Sequence, residues 1–145
     1  MPQVHVIEPV HSHEPAKLRV CAYARVSSDS ADQLNSFASQ VRYYTNLIAG
    51  NEDWTLVDIY ADRGITGTST AKRIEFQRMM EDCRKGKIDR ILVKSLSRFA
   101  RNTQDCIAAL RELRQLGVTV VFEKEHINTG TMANEMLISM MSAFA

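Results

Sequence analysis

From Lys17 onward the sequence alternates between two hydrophobic periods, and that alternation limits the folds open to it. "LRVCAYARVS" (18–27), "WTLVDIYA" (54–61), "DRILVKSL" (89–96) and "VTVVFEK" (118–124) are short apolar runs of strand length. Between them lie helical patterns. Leu34, Phe37, Val41, Tyr44 and Ile48 recur at 3–4 spacing. Phe76, Met79, Met80 and Cys83 mark a short second helix, and Cys106, Ile107, Leu110, Leu113 and Leu116 a third. Asp29 or Ser30 can cap the first helix, and Asn102 or Thr103 the third. Gly50-Asn51, Gly86 and Gly117 supply the stops. The apolar centre of 89–96 suits a parallel strand covered on both faces. Strand–helix alternation at this spacing predicts an α/β fold: a mostly parallel four- to five-stranded sheet flanked by helices.

The two ends differ from this body. Residues 1–16 carry Pro2, Pro9 and Pro15 without periodicity and read as a flexible arm. His11 and His13 have no third ligand nearby and read as part of a solvated tail. Residues 17–130 form the expected folded domain. Over 131–145, Met136, Leu137, Met140, Met141 and Phe144 form an amphipathic stripe that stops at Ala145 without glycine, proline or a basic last turn. The expectation is a longer helix cut mid-course, and hence a fragment of a longer protein. The Met-rich stripe suits packing on its own domain or on a partner equally well.

Composition excludes some classes. Of 145 residues, 45% are apolar and 24% charged, and no apolar run reaches membrane-spanning length. The N-terminus lacks the apolar stretch of a signal peptide, so cytoplasmic residence is the default expectation. Cys21, Cys83 and Cys106 are odd in number and form no CxxC, which favours ordinary thiols over a disulfide scaffold or a zinc site. The net charge of +1 does not by itself predict a nucleic-acid partner. Twelve of the 18 basic residues are arginines, however, the cation suited to bidentate phosphate contact.

In such a sheet, ligands bind beyond the C-terminal ends of the strands. The first strand delivers Arg25, Ser27 and Ser28 there. The second delivers Asp62 and the loop "DRGITGTSTAKR" (62–73), which ends in Arg73. The third delivers Lys94, Ser95, Ser97, Arg98 and Arg101, and the fourth Glu123, Glu125 and His126. Strand alternation places Cys21, Tyr23, Arg25 and Ser27 on one face. Arg98 and Arg101, three apart, share a face if they open a helix. Taken singly, Ser27 reads as a turn residue, Arg98 and Arg101 as a solvated face, and His126 as a surface residue. Their convergence on one rim is what points to an anion. A hydroxyl can attack phosphorus while guanidiniums neutralise its oxygens. "GITGTST" lacks the Gly-Lys-Ser/Thr of a P-loop, no GxSxG is present, and no group of Asp, Glu or His has metal spacing.

"YARVSS" (23–28), "DRGITGTSTAKR" (62–73) and "VKSLSRFARNTQD" (93–105), in this order, resemble the catalytic domain of the serine recombinases, the resolvase/invertase family. The longer loop after strand two and "SLSRFARN" resemble its large members, the transposon and phage integrases. The similarity runs from about Leu18 to the C-terminus.

The resemblance implies site-specific DNA recombination through a 5′-phosphoserine link, within a dimer or tetramer built by the C-terminal helix. It also implies that no metal, ATP or other cofactor is needed. Ser27 matches the nucleophile; Arg25, Arg73, Arg98 and Arg101 match the phosphate-binding arginines; Gln33, Asp62 and Thr66 match supporting polar positions. Ser97 stands where many small resolvases have Asp, which leaves the proton acceptor for Ser27 unassigned. DNA affinity in the family comes mostly from separate C-terminal domains, which accords with a charge of only +1. Two rival readings remain: a non-catalytic DNA-associated interaction module of the same fold, and a small anion-binding α/β domain.

Overall fold

The computed structural model describes residues 16–27, 31–64, 73–100, 102–133, 136 and 139; the side chains of 26, 27, 31–36, 63 and 64 lie outside the description. The elements run β1 (Leu18–Ser27), α1 (Ala31–Ala49), β2 (Trp54–Gly64), α2 (Ile74–Arg84), β3 (Arg90–Val93), α3 (Leu96–Phe99), α4 (Thr103–Gln115), β4 (Thr119–Phe122) and β5 (Ile127–Asn128). A 3-10 turn, Thr129–Thr131, follows. Among the described residues no helix is long and apolar enough to cross a membrane. The expected arm lies almost wholly outside the described residues. So do Leu137, Met140, Met141 and Phe144 of the C-terminal stripe; Met136 has helical backbone and is exposed.

The five strands form one sheet in the order β2-β1-β3-β4-β5. The first four are mutually parallel, and β5 returns antiparallel to β4. The chain steps from β1 to β2 on one side, then crosses β1 to reach β3 on the other. Right-handed crossovers make that reversal place helices on opposite faces. The core divides accordingly. Val20, Ala22 and Leu92 pack with Tyr44 and Ile48 of α1. Cys21, Tyr23, Ile91 and Val93 pack with Phe76, Met79, Phe99, Cys106 and Leu110 on the other face. Alternation along β1 is therefore as its sequence predicts. All three cysteines are buried, and burial pushes Cys83 and Cys106 up to about 12.

The ends of β2 and β3 differ from the sequence expectation, and the cap of α4 agrees with it. β2 runs on to Gly64 because Asp62, Arg63 and Gly64 pair in register with Arg25, Val26 and Ser27. Asp62 thus belongs to a strand, not to a loop, and is buried. β3 stops at Val93, and the next residues turn into α3. Asn102 caps α4, its Oδ1 accepting from Asp105 N at 2.8 Å.

The β4–β5 turn puts His126 at φ 56. An L side chain is strained there, whereas glycine is not. His126→Gly is expected to raise stability by about 0.5–1 kcal/mol, read as a higher urea midpoint with an unchanged slope.

Candidate active site

The reversal of strand order falls between β1 and β3, so their C-terminal ends open a crevice of the kind α/β sheets use for ligands. Its floor is aromatic. Tyr23, Phe76, Phe99 and Phe122 stack edge to face in series, with centroids 5.2, 5.4 and 5.5 Å apart. Such pairs add about 0.5–1.5 kcal/mol each beyond burial. They also explain the four-residue α3, whose Phe99 is buried in this row. Leu96 N at its start donates to Glu125 Oε1 at 3.2 Å.

Three arginines meet above that floor. The Arg73 guanidinium lies 3.8 Å from the Phe76 ring centroid and 5.1 Å from that of Tyr23. Its Nη2 donates to Phe99 O and, at 3.4 Å, to Arg98 O. Arg98 Nη1 donates to Arg25 O. Arg25 Nη2 donates to Ser97 O at 3.2 Å. The end of β1 and the start of α3 are thereby tied in both directions, and Arg73 ties the entry to α2 to the same place. A guanidinium has five N–H donors, so each retains capacity for an anion.

Asp62 fixes Arg73 from below. Its carboxylate accepts from Glu75 N at 2.9 Å and Phe76 N at 3.1 Å, the first turn of α2. It accepts also from Tyr23 Oη at 2.8 Å, while Tyr23 Oη accepts from Arg73 Nε at 3.2 Å. A carboxylate at a helix N-terminus satisfies donors that the helix cannot. Burial holds the Tyr23 phenol well above its usual range, so it remains the proton donor to Asp62.

The structure thus brings together Arg25, Arg73, Arg98 and Asp62. Ser27 is the last residue of β1, opposite Gly64 of β2. The Ser27 and Gln33 side chains, Thr66 and Arg101 lie outside the described residues. The single helical face expected for Arg98 and Arg101 is not built by one helix: α3 ends at Phe99 and α4 begins at Thr103. Ser97 Oγ lies 3.0 Å from Ser95 Oγ. His126 is exposed in the β4–β5 turn.

Two features escaped the sequence reading. Tyr23 bridges Asp62 and Arg73; its position two residues before Arg25, on the same strand face, was the available signal. Glu123 accepts from Tyr43 Oη at 2.8 Å and Tyr44 Oη at 2.7 Å, joining α1 to the end of β4. Burial, followed by Glu123, drives the Tyr44 phenol upward.

Comparison with known proteins gives this geometry a lineage. Residues 20–145 match the family described as Resolvase, N terminal domain. The Tn21 transposon resolvase of Escherichia coli is 35% identical over 102 residues, covering 66% of this chain and 53% of that protein. The Tn3 transposon resolvase of E. coli is 28% identical over 129 residues, covering 88% and 62%. The chain therefore spans little more than half the length of these curated relatives. A solved resolvase-family site-specific recombinase from Streptococcus pneumoniae is 30% identical, with a TM-score of 0.66 over 88% of this chain and 85% of that one. The N-terminal catalytic domain of TP901-1 integrase shares the fold at 23% identity, with a TM-score of 0.63 over 87% and 92%. On the match over residues 20–145 and the shared architecture, the chain belongs to the serine recombinase family, as its resolvase-type N-terminal domain.

Proposed function

We propose that this domain cleaves and rejoins DNA at specific sites through a covalent 5′-phosphoserine intermediate on Ser27. The observation that carries the reading is the meeting of Arg25, Arg73 and Arg98 at the end of the strand that Ser27 closes. In the forward step Ser27 Oγ bonds to the scissile phosphorus and loses its proton. The P–O3′ bond breaks, and the leaving 3′ oxygen takes up a proton. Arginine donors stabilise the extra negative charge on the phosphoryl oxygens. Reversal with a new 3′ hydroxyl rejoins the strand. Arg101 belongs to this set by its match to the family motif, with Gln33 and Thr66 as supporting groups. The base for Ser27 is not an arginine, which stays protonated.

The phosphoserine ester conserves the energy of the broken bond, so the reaction needs neither ATP nor a metal. The partner is DNA carrying attachment or resolution sites. Self-association to a dimer or tetramer goes through the segment 131–145 that carries the Met-rich stripe. Ser97 in place of Asp and the length of the motif over residues 62–73 support reading the protein as one of the large, integrase-type members.

The test is strand exchange by the full-length protein on a supercoiled plasmid carrying its paired sites, in EDTA and without ATP. Recombinant circles are expected. A requirement for a divalent cation or ATP contradicts the mechanism.

A further inference from the structure

The turn that follows β5 is held more firmly than a connector requires. Thr129 is buried, and its Oγ1 accepts from Val120 N of β4 at 2.9 Å. Asn128 Oδ1 accepts from Gly130 N at 2.8 Å, and Thr131 Oγ1 donates to Asn128 O at 3.0 Å. A Cβ at Gly130 would meet Thr119 Cγ2 at 2.7 Å, so the turn lies hard against β4. A further fastening comes from another element. Arg114, in the last turn of α4, donates through Nη2 to Thr129 O at 2.8 Å and to Met132 O at 2.5 Å. Met132 packs against the larger core cluster, and four residues later Met136 has helical backbone.

We infer that Arg114 is a positioning residue that sets the direction in which the chain leaves the sheet toward Met136 and Ser139, both helical in backbone. One guanidinium bonded to two carbonyls fixes both peptide planes, which a single-point contact does not. The bonds from Val120 and Asn128 end within the turn. The Arg114 bond to Met132 carries the restraint past Thr131, beside the longer backbone bond from Met132 N to Thr129 O at 3.4 Å. The consequence for assembly rests on the proposed reading that the segment beyond Met132 carries self-association. Arg114 then governs the angle at which protomers meet, without touching DNA.

The experiment uses the 145-residue chain, spin-labelled at Ala108→Cys on α4 and Ser139→Cys beyond the turn; both parent positions are exposed. Cys21, Cys83 and Cys106 are buried with thiols pushed upward, so the engineered cysteines take the label. Pulsed dipolar spectroscopy of the parent is expected to give one narrow distance distribution. Arg114→Ala is expected to broaden it at least about twofold while far-UV circular dichroism stays the same, and Arg114→Lys to recover part of the narrowing. If Arg114→Ala does not fold, Arg114→Met, which keeps the length of the side chain but has no N–H donor, takes its place with the same expectation. A distribution unchanged by the substitution, or already broad in the parent, overturns the inference. Failure of plasmid strand exchange by the unsubstituted full-length protein counts against the recombinase reading alone; the distance measurement stands apart from it.

Discussion

Asp62→Ala is expected to lower the melting temperature by about 10 °C and DNA cleavage by at least about a hundredfold. The carboxylate is buried and takes three hydrogen bonds, from Tyr23 Oη, Glu75 N and Phe76 N. Alanine leaves these donors unpaired on the buried side of α2. An orphaned buried donor costs about 1–3 kcal/mol, and partial relaxation brings the sum to about 3 kcal/mol. For a domain of this size that corresponds to about 10 °C. The kinetic loss has a separate cause. Arg73 immediately precedes α2 and bonds the Tyr23 hydroxyl that Asp62 orients. Releasing both lets its guanidinium leave the place it holds beside Arg25 and Arg98, where the proposed mechanism seats the phosphate, and misplacement of about 1 Å is worth about a hundredfold. Asp62→Asn keeps one acceptor oxygen and is expected to fall between. Calorimetry and single-turnover cleavage by the full-length protein read the two effects. An alanine variant that melts within 2 °C of the parent, roughly the noise of a 0.5 kcal/mol effect, and cleaves normally would remove Asp62 from the account.

The parts of the fold legible in the sequence are those where a period persists long enough to be read. β1 and α1 appear at their expected places because apolar residues repeat through both. Residues 62–64 resemble loop by composition; what makes them strand is the register with Arg25, Val26 and Ser27, a tertiary fact. Residues 96–99 are too few to show a helical period. Their turn depends on Phe99 entering the aromatic row and on Glu125 accepting from Leu96 N. A two-residue strand such as β5 leaves no pattern at all.

The site divides in the same way. Arg25 and Arg98 were legible because strand ends in an α/β sheet deliver side chains to one rim. Their interlock was not. Its acceptors are the carbonyls of Arg25, Ser97, Arg98 and Phe99, and every residue has a carbonyl. The Asp62–Tyr23–Arg73 chain spans three elements and becomes visible once β1 and β2 are aligned. Arg114 was silent for a related reason: in sequence it is one more basic residue in a helical last turn, and its carbonyl partners lie 15 and 18 residues away.

The central claim is that Ser27 forms a covalent bond to DNA. The Ser27 backbone closes β1, and two of the arginines tied together beside it come from separate segments, 73 and 98. Ser28 adjoins it and carries the same hydroxyl. The most direct measurement traps the cleaved complex of the full-length protein on DNA bearing its site and separates the products under denaturing conditions. The parent, Ser27→Ala and Ser28→Ala are compared. The account predicts a denaturant-stable protein–DNA adduct from the parent and from Ser28→Ala, and none from Ser27→Ala. The loss is effectively complete, since removing the nucleophile of a comparable covalent enzyme costs on the order of a millionfold. An adduct that survives Ser27→Ala would move the nucleophile elsewhere. No adduct from any version, on DNA that each demonstrably binds, would contradict the enzyme reading in favour of a non-catalytic module.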